Sequence, residues 1–155
     1  MVHLKHFGVY GICIREGKLL CVRKNRGPYT GRYDLPGGSQ DSGESLLDTL
    51  KREMLEETGF QVLSVVNNRI FDTFVQPEGE ENVTHHIFAV YDVELDNSSA
   101  IAITETIDGG DVNDSVGSAW VTLSDLTESN ASPLILKILA PNLEASHYPN
   151  WHILR

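Results

Sequence analysis

The sequence predicts an α+β fold in which a mixed β-sheet lies between helices. Two strand-like segments, HFGVYGICI and KLLCVRK, open the chain. Helical segments follow groups of strands at 45–58 and again at 132–140, which favours a helix layer on each face of the sheet. The length of 155 residues suits a single domain over residues 1–155.

The first two strands are predicted to form a hairpin around the turn Glu16-Gly17. β-Branched and apolar residues dominate both segments, as is typical of strands in a core. A two-residue turn would pair Arg15 with Lys18 and would offset Cys13 from Cys21 across the hairpin. Both cysteines are therefore interpreted as free thiols in the core.

A helix is predicted over residues 45–58, after a long loop. Loops of the length of NRGPYTGRYDLPGGSQDSGE are usually functional. Ser45 or the pair Asp41-Ser42 would cap the helix, and Gly59 would end it. Helical spacing predicts an apolar stripe that faces the core. Its members are Leu46, Leu47, Leu50 and Met54.

Three more strands are predicted in the middle of the chain. They are FQVLSVV, RIFDTFV and THHIFAVYDVEL, with a PEGEEN turn between the last two. The following stretch, AIAITETIDGGDVNDSVGSAW, alternates weakly and then becomes a polar, acidic loop that fits no element. AWVTL is then predicted to be a short strand, SDL a helical turn, and SPLILKILA a short helix with Pro133 in its first turn.

The charge balance excludes some classes of partner. The chain has 22 acidic and 12 basic side chains, a formal charge of −10. This balance argues against binding to nucleic acid or to an anionic membrane, and a phosphate-bearing ligand would have to bring its own cations. Because no stretch reaches the ~20 apolar residues of a transmembrane helix and the N-terminus lacks the order of a signal peptide, we expect a cytoplasmic protein.

Three glutamates crowd into the helical stretch REMLEETGF. On a helical wheel Glu53 and Glu57 lie at the edge of the apolar stripe, where two carboxylates one turn apart repel each other and are costly to bury. A solvated acidic face, the usual interpretation of a charge run, would lie opposite the stripe. Lys51 and Arg52 point away from both glutamates on the wheel. A divalent metal ion is therefore the simplest remaining cation that could offset the repulsion. Carboxylate oxygens favour Mg²⁺, with Mn²⁺ as a substitute.

These residues resemble the Nudix box, the signature of the MutT-like Nudix hydrolases. The match consists of Gly38, then Glu44 after five residues, and after seven more the run 52–60, REMLEETGF. LPGG before the box, and Trp120-Val121 followed by Ser124-Asp125-Leu126, also resemble the usual layout of the domain. The resemblance implies a Nudix fold, an α/β/α sandwich with a mixed central sheet. It also implies Mg²⁺-dependent hydrolysis of a nucleoside diphosphate linked to another moiety.

The resemblance also assigns roles to residues of the box. The metal ligands would be Glu53, Glu56, Glu57 and the carbonyl of Gly38. Arg52 and Glu44 would form an ion pair that orients the catalytic helix. A box glutamate or a later acid acts as general base in this family, and we favour Glu53 or Glu56. Hydrolysis of a phosphoanhydride needs neutralised charge on the non-bridging oxygens and an in-line water, which metal ions can supply.

Substrate contacts are expected from the segment before the box. Its basic residues could meet phosphates, or could serve solubility alone. They are Arg23, Lys24, Arg26 and Arg32. The aromatic residues Tyr29, Tyr33 and Phe74 could stack a base, although packing is the commoner role.

Two further groups of polar residues are candidates for the site. Strand alternation sends the rings of His85 and His86 to opposite faces, so both cannot bind one metal ion. One ring could approach the substrate cleft, and a satisfied histidine at a strand end is the commoner case. The later acids that could serve as a metal ligand or base, or simply as loop residues, are Glu105, Asp108, Asp111 and Asp114.

The expected substrate is a small nucleotide, such as a nucleoside or deoxynucleoside triphosphate. The subtype markers for cleavage of ADP-ribose or of dinucleoside polyphosphates are not cleanly present after Gly59. The alternative is a Nudix domain that senses a nucleotide without cleaving it, and isomerase chemistry on a prenyl diphosphate ranks below both. Exposed strand edges would permit a homodimer.

Overall fold

The computed structural model describes residues 2–96, 115–141 and 146–151. In these ranges the strands are β1 His3–Ile12, β2 Ile14–Arg15, β3 Lys18–Lys24, β4 Tyr33–Asp34, β5 Gly37–Ser39, β6 Gln61–Pro77, β7 Val83–Asp96, β8 Ser115–Thr122 and β9 Ser146–Trp151. The helices are α1 Leu46–Thr58 and α2 Pro133–Leu139, and a 3-10 turn covers Leu123–Asp125.

The central sheet is mixed, as the sequence predicts. Its strand order is β5-β1-β7-β6-β9. β1 runs parallel to β7 and β6 runs parallel to β9, while the other neighbours are antiparallel. The edge strand β9 was not predicted, because SHYPNW contains a proline and proline argues against a strand.

The segments FQVLSVV and RIFDTFV form one strand, so their prediction as two strands was wrong. β6 runs for 17 residues without interruption. Its register with β7 shifts between Val62 and Ser64 and between Val66 and Arg69, and Asn67 has a φ of 57°. Bulges of this kind let a strand continue through an Asn-Asn pair that a sequence pattern marks as a break.

A second sheet contains β2, β3, β4 and β8, and its hairpin has the predicted turn. The predicted first strand is divided at Cys13, however, because β1 joins the central sheet and only β2 pairs with β3. Arg15 pairs with Lys18, and Glu16 and Gly17 have φ values of 51° and 75°, which suits a type I′ turn. Both cysteines are free and buried. The long loop before α1 contains β4, which joins this sheet, and β5, which joins the central sheet. The Gly- and Pro-rich composition of the loop hid these short strands from sequence analysis.

Each helix packs on its own face of the central sheet, which confirms the α/β/α sandwich. Successive residues of β1 point to opposite faces. Val9 belongs to a buried cluster with Leu50 of α1, whereas Tyr10 belongs to a second cluster with Leu134 of α2. A Cβ added at Gly11 would lie 2.9 Å from the sulfur of Met54, so this glycine lets α1 approach the sheet.

The apolar stripe of α1 is narrower than predicted. Leu50 and Met54 are fully buried and Leu46 is partly buried, but Leu47 is 38% exposed and does not belong to the stripe. The predictions for the end of the chain hold better, since the 3-10 turn Leu123–Asp125 includes the first two residues of the predicted turn SDL, and Pro133 occupies the first turn of α2. No helix among the described residues is long and apolar enough to cross a membrane.

Candidate active site

Helix α1 holds the box glutamates in a defined orientation because both of its ends are capped. The hydroxyl of Ser45 accepts a hydrogen bond from the Asp48 N–H at 3.1 Å, and the Asp48 carboxylate accepts one from the Ser45 N–H at 3.4 Å. Gly59 ends the helix with a φ of 77°, and its N–H donates to the Leu55 carbonyl. Of the caps considered from the sequence, Ser45 is the one observed.

Arg52 connects the loop before the helix to the glutamates on it. Its Nε lies 2.7 Å from Glu44 Oε2 and its Nη2 lies 2.9 Å from Glu44 Oε1, a bidentate pair of the kind that guanidinium geometry favours. These hydrogen bonds lower the pKa of Glu44 to about 2. The ion pair expected between Arg52 and Glu44 is therefore present.

Arg52 also contacts Glu53, which corrects the expectation that it points away from the helix glutamates. Its Nη1 lies 2.9 Å from Glu53 Oε1 and 3.3 Å from Glu56 Oε2. A helical wheel gives the direction of the Cα–Cβ bond, but the guanidinium lies at the end of a long side chain and can bend towards its neighbour. Arg52 thus offsets part of the repulsion among the carboxylates.

Glu53 projects towards the backbone at Gly38. A Cβ added at Gly38 would lie 2.7 Å from Glu53 Oε1 and 3.0 Å from Oε2, so the missing side chain makes room for the carboxylate. The Glu53 side chain is only 15% exposed. Burial raises the pKa of Glu53, and the hydrogen bond from Arg52 acts in the opposite direction.

Glu57 is buried and holds the loop against the helix. Its Oε1 accepts a hydrogen bond of 2.8 Å from the Gly37 N–H, and its Oε2 lies 3.9 Å from Lys24 Nζ. Lys24, at the end of β3, also lies 4.0 Å from Asp34 Oδ2. The conclusion that no basic side chain serves the glutamates was therefore wrong, because Lys24 reaches Glu57 from a strand 33 positions away in the sequence.

These side chains line one open cavity of about 370 Å³. Five of the predicted site residues contribute to its wall: Gly38, Arg52, Glu53, Glu56 and Glu57. Glu44 binds Arg52 but does not itself line the cavity. His6, Tyr10 and Lys24 also line this cavity. The cavity therefore combines carboxylates with two fixed cationic groups.

The donor chemistry of this cavity fits a hard divalent cation. Carboxylate and carbonyl oxygens are the ligands that Mg²⁺ prefers, and Glu53, Glu56 and Gly38 offer them at one wall. In residues 2–96, 115–141 and 146–151, however, no set of three or more His, Cys, Asp or Glu side chains is arranged to hold a metal ion. Binding an ion would therefore require the carboxylates to exchange contacts with Arg52 and Lys24 for contacts with the metal.

The basic residues proposed to bind substrate lie in different environments. Arg23 stacks its guanidinium over Tyr33, 5.0 Å from the ring centroid, and donates to the Tyr33 hydroxyl at 2.7 Å. Arg32 is 4% exposed and donates to the carbonyls of Glu128 and Ala131. Arg26 lines a second cavity beside the first. Of the four basic candidates, Lys24 and Arg26 therefore line the adjoining cavities, whereas Arg23 and Arg32 line neither of them.

The two neighbouring histidines point to opposite faces, as predicted. His85 stacks on Phe74 with centroids 4.1 Å apart and contacts Asp72 Oδ2 at 2.7 Å. His86 is buried, with Nε2 3.1 Å from the Tyr10 hydroxyl and Nδ1 2.8 Å from the Tyr29 hydroxyl. Burial lowers the pKa of His86 to about 3, so its imidazole is neutral.

Sequence analysis missed the arrangement of Tyr10, Tyr29 and His86. Tyr29 and His86 were each considered alone, and Tyr10 was not considered. The three residues come from β1, a loop and β7, so no local spacing indicates their contact. The later acids of the sequence analysis, Glu105, Asp108, Asp111 and Asp114, lie outside the described residues.

Comparison with known proteins identifies the family. The model of the NUDIX domain matches residues 3–140. The chain belongs to the Nudix hydrolase family. The box resemblance read from residues 38–60 is thereby confirmed over most of the chain.

Individual Nudix relatives match shorter parts of the chain. An ADP-ribose pyrophosphatase of Methanocaldococcus jannaschii is 37% identical over 51 residues, which is 33% of this chain and 30% of that protein. A Nudix hydrolase of Bacillus subtilis, YvcI, is 30% identical over 103 residues, which is 64% of this chain and 61% of that protein. The matches thus span less than two thirds of either curated relative.

A solved Nudix structure shares the fold. The crystal structure of a MutT Nudix hydrolase from Burkholderia pseudomallei superposes with a TM-score of 0.68 at 21% identity, covering 90% of this chain and 98% of that chain. At this identity the likeness shows the fold and not the substrate.

Proposed function

We propose that the protein hydrolyses a phosphoanhydride bond in a nucleoside diphosphate linked to another moiety, in a Mg²⁺-dependent reaction. The observation that carries this proposal is a cavity in which three box glutamates meet two cations, Arg52 and Lys24. Carboxylates at one wall suit a divalent ion, and the cations suit a polyphosphate chain. A nucleoside or deoxynucleoside triphosphate is the default substrate.

Glu53 is the favoured general base. Its carboxylate is largely buried, and burial raises its pKa, which brings a carboxylate closer to the neutral range where a base is effective. Glu56 is the alternative, and its side chain is 39% exposed. Arg52, held by both oxygens of Glu44, fixes the position of Glu53 through a hydrogen bond of 2.9 Å.

The remaining residues bind and orient. Glu53, Glu56, Glu57 and the Gly38 carbonyl would hold the metal ion, which when bound supplies positive charge to the phosphate oxygens and to an attacking water. Lys24 presents its ammonium group at the wall shared with the second cavity, where it can attract phosphate oxygens. Mn²⁺ is expected to replace Mg²⁺, since both accept oxygen ligands.

A substrate screen tests the proposal. Purified protein at mildly alkaline pH receives Mg²⁺ and a panel of nucleoside triphosphates, deoxynucleoside triphosphates, ADP-ribose and dinucleoside polyphosphates. ADP-ribose is included because the Methanocaldococcus relative is named for it. Released phosphate, pyrophosphate and mononucleotide are measured, and EDTA should abolish turnover while added Mg²⁺ or Mn²⁺ restores it.

Two results of this screen would count against hydrolysis. Folded protein that turns over no member of the panel contradicts the proposal. Tight calorimetric binding of ADP-ribose without turnover would favour the nucleotide-sensing alternative. A cytoplasmic location and a homodimer stay predictions, and size-exclusion chromatography with light scattering measures the second.

A further inference from the structure

A second cavity opens from the wall of the first. It has a volume of about 180 Å³ and shares His6, Tyr10 and Lys24 with the carboxylate cavity. A molecule that places phosphates against Arg52 and the glutamates can therefore extend past Tyr10 into this space. At about 30 Å³ per water molecule, the volume equals about six waters, which is enough for one substituted ring.

Besides the charged residues Lys24, Arg26 and Asp34, this cavity is lined by neutral groups. Tyr29 and Pro28 come from the loop after β3, and His86 comes from β7. The rings of Tyr29 and His86 lie nearly parallel, with an interplanar angle of 15° and centroids 5.7 Å apart. The flat apolar surfaces of these residues suit an uncharged ring.

Tyr10, which lines both cavities, packs against two glycines. A Cβ added at Gly8 would lie 2.5 Å from the Tyr10 hydroxyl oxygen and 2.7 Å from its ring. A Cβ added at Gly37, where φ is 148°, would lie 2.6 Å from both Cα and Cδ1 of Tyr10. The absence of a side chain at both positions therefore makes room for the Tyr10 ring, and the hydrogen bond to His86 places its hydroxyl at the junction.

The hydrogen-bonding state of Tyr10 depends on His86. A neutral imidazole carries one N–H donor and one acceptor nitrogen. If the proton is on Nε2, Tyr10 accepts from His86 and keeps its own O–H to donate, while Tyr29 donates to Nδ1. If the proton is on Nδ1, Tyr29 accepts, and Tyr10 donates to Nε2 and offers only lone pairs. In the described part of the chain, His86 is the one hydrogen-bond partner of the Tyr10 hydroxyl.

We propose that the second cavity binds a neutral sugar or base ring of the substrate, and that His86 is a positioning residue that sets whether Tyr10 donates to or accepts from that ring. The ligand class is a ring that carries a hydroxyl or amino group within reach of the Tyr10 oxygen. The inference rests on the proposed function for the nucleotide nature of the ligand. It goes further because it assigns selection of the substrate ring to three hydrogen-bonded residues, Tyr29, His86 and Tyr10.

A binding experiment tests this without turnover. Protein carrying ¹⁵N-labelled histidine is titrated, in the absence of metal, with adenosine, inosine and ribose 5-phosphate, and the ring nitrogens of His86 are followed by NMR. Adenosine and inosine present an amino group and a carbonyl at the same place on the base, so they should shift the His86 nitrogens in opposite directions if the base occupies the cavity. Equal shifts with all three probes would assign the sugar instead.

Kinetics on the best nucleotide of the screen gives the second readout. Tyr10→Phe removes the hydroxyl at the junction and should raise KM about fivefold with a small change in kcat, since one hydrogen bond is worth about 1 kcal/mol. His86→Gln keeps one donor and one acceptor and should lie closer to the wild type than His86→Phe. Tyr91→Phe removes a matched phenol that packs in the cluster on the α1 face, and it should leave KM unchanged.

The outcomes separate this inference from the proposed function. No His86 shift with any probe, or a KM in Tyr10→Phe equal to that of Tyr91→Phe, overturns the inference. A clear shift with nucleosides in a protein that hydrolyses nothing supports the binding site and overturns the hydrolase proposal. Hydrolysis of a nucleotide by a protein whose His86 nitrogens do not shift with any probe supports the hydrolase proposal and overturns the proposed binding site.

Discussion

The two adjoining cavities solve the problem of buried polar groups in opposite ways. In the first, Arg52 and Lys24 lie against the carboxylates of Glu53 and Glu57 and offset the repulsion between them. In the second, His86 has neutral hydroxyl partners, and burial keeps it uncharged. The difference shows that buried carboxylates are accommodated beside fixed cations, whereas a buried imidazole beside hydroxyl dipoles becomes neutral.

The largest effect is expected on kcat, when the negative charge of Glu53 beside Gly38 is removed. Glu53→Gln keeps the size of the side chain but removes the proposed base and metal ligand, so kcat should fall about 10²–10⁴-fold. Glu80→Gln is the matched control, because Glu80 lies on the exposed turn between β6 and β7. Steady-state hydrolysis with Mg²⁺ measures both variants, and wild-type turnover in Glu53→Gln would remove Glu53 from the mechanism.

Two glycine-to-alanine variants each perturb one of the two cavities. Gly38→Ala places a methyl group against the end of the Glu53 side chain, which can rotate, so we expect kcat to fall about tenfold or more with little change in stability. Gly8→Ala places a methyl group against the rigid ring of Tyr10, so we expect a loss of about 1–3 kcal/mol in unfolding free energy and a raised KM.

Urea unfolding and steady-state kinetics of the two glycine variants decide whether the cavities behave differently. The same pattern of kcat, KM and stability in both variants would show that the junction at Tyr10 does not separate two functions.

The smallest effect concerns stability in mild acid. His86 stays neutral in the folded protein down to a pKa of about 3, but in the unfolded chain it takes up a proton near its ordinary pKa of 6.5. The unfolded state therefore binds more protons below pH 6.5, and the folded state loses stability as pH falls. Between pH 7.5 and pH 5.5 this amounts to roughly 1 kcal/mol.

His86→Gln should remove that part of the pH dependence. The quantity to compare is the change in unfolding free energy between pH 7.5 and pH 5.5, measured by urea titration for the wild type and the variant. Burial raises the pKa of Asp34 and Glu53, which acts in the opposite sense as pH falls, but this contribution is common to both proteins and cancels in the comparison. An equal pH dependence in both would show that His86 is accessible to protons.

The first cavity was largely predictable because its groups are close together in the sequence. Glu44 and Arg52 are eight positions apart, and Glu53, Glu56 and Glu57 share one helix. Helical periodicity therefore places them, and the box pattern identifies the family. The prediction that no basic side chain contacts the glutamates was wrong. A helical wheel shows neither how far the Arg52 side chain extends nor that Lys24 approaches from β3.

The second cavity could not be predicted in the same way. Tyr10 and His86 are 76 positions apart, and Tyr29 and His86 are 57 apart. The parallel pairing of β1 with β7 brings the first pair together, and the loop after β3 supplies the third residue. The pattern of β1 shows that Tyr10 faces one side of the sheet, but it does not show what it meets there.

The sequence by itself determined the helix, its caps, the acidic box and the alternation of the strands, because each depends on neighbours within a few positions of the chain. Tertiary structure decided which charges are paired, where the glycines make room, and that a buried imidazole links two phenols. These depend on the pairing order of strands distant in sequence, and burial gives them their effect on protonation. Local periodicity carries no information about either.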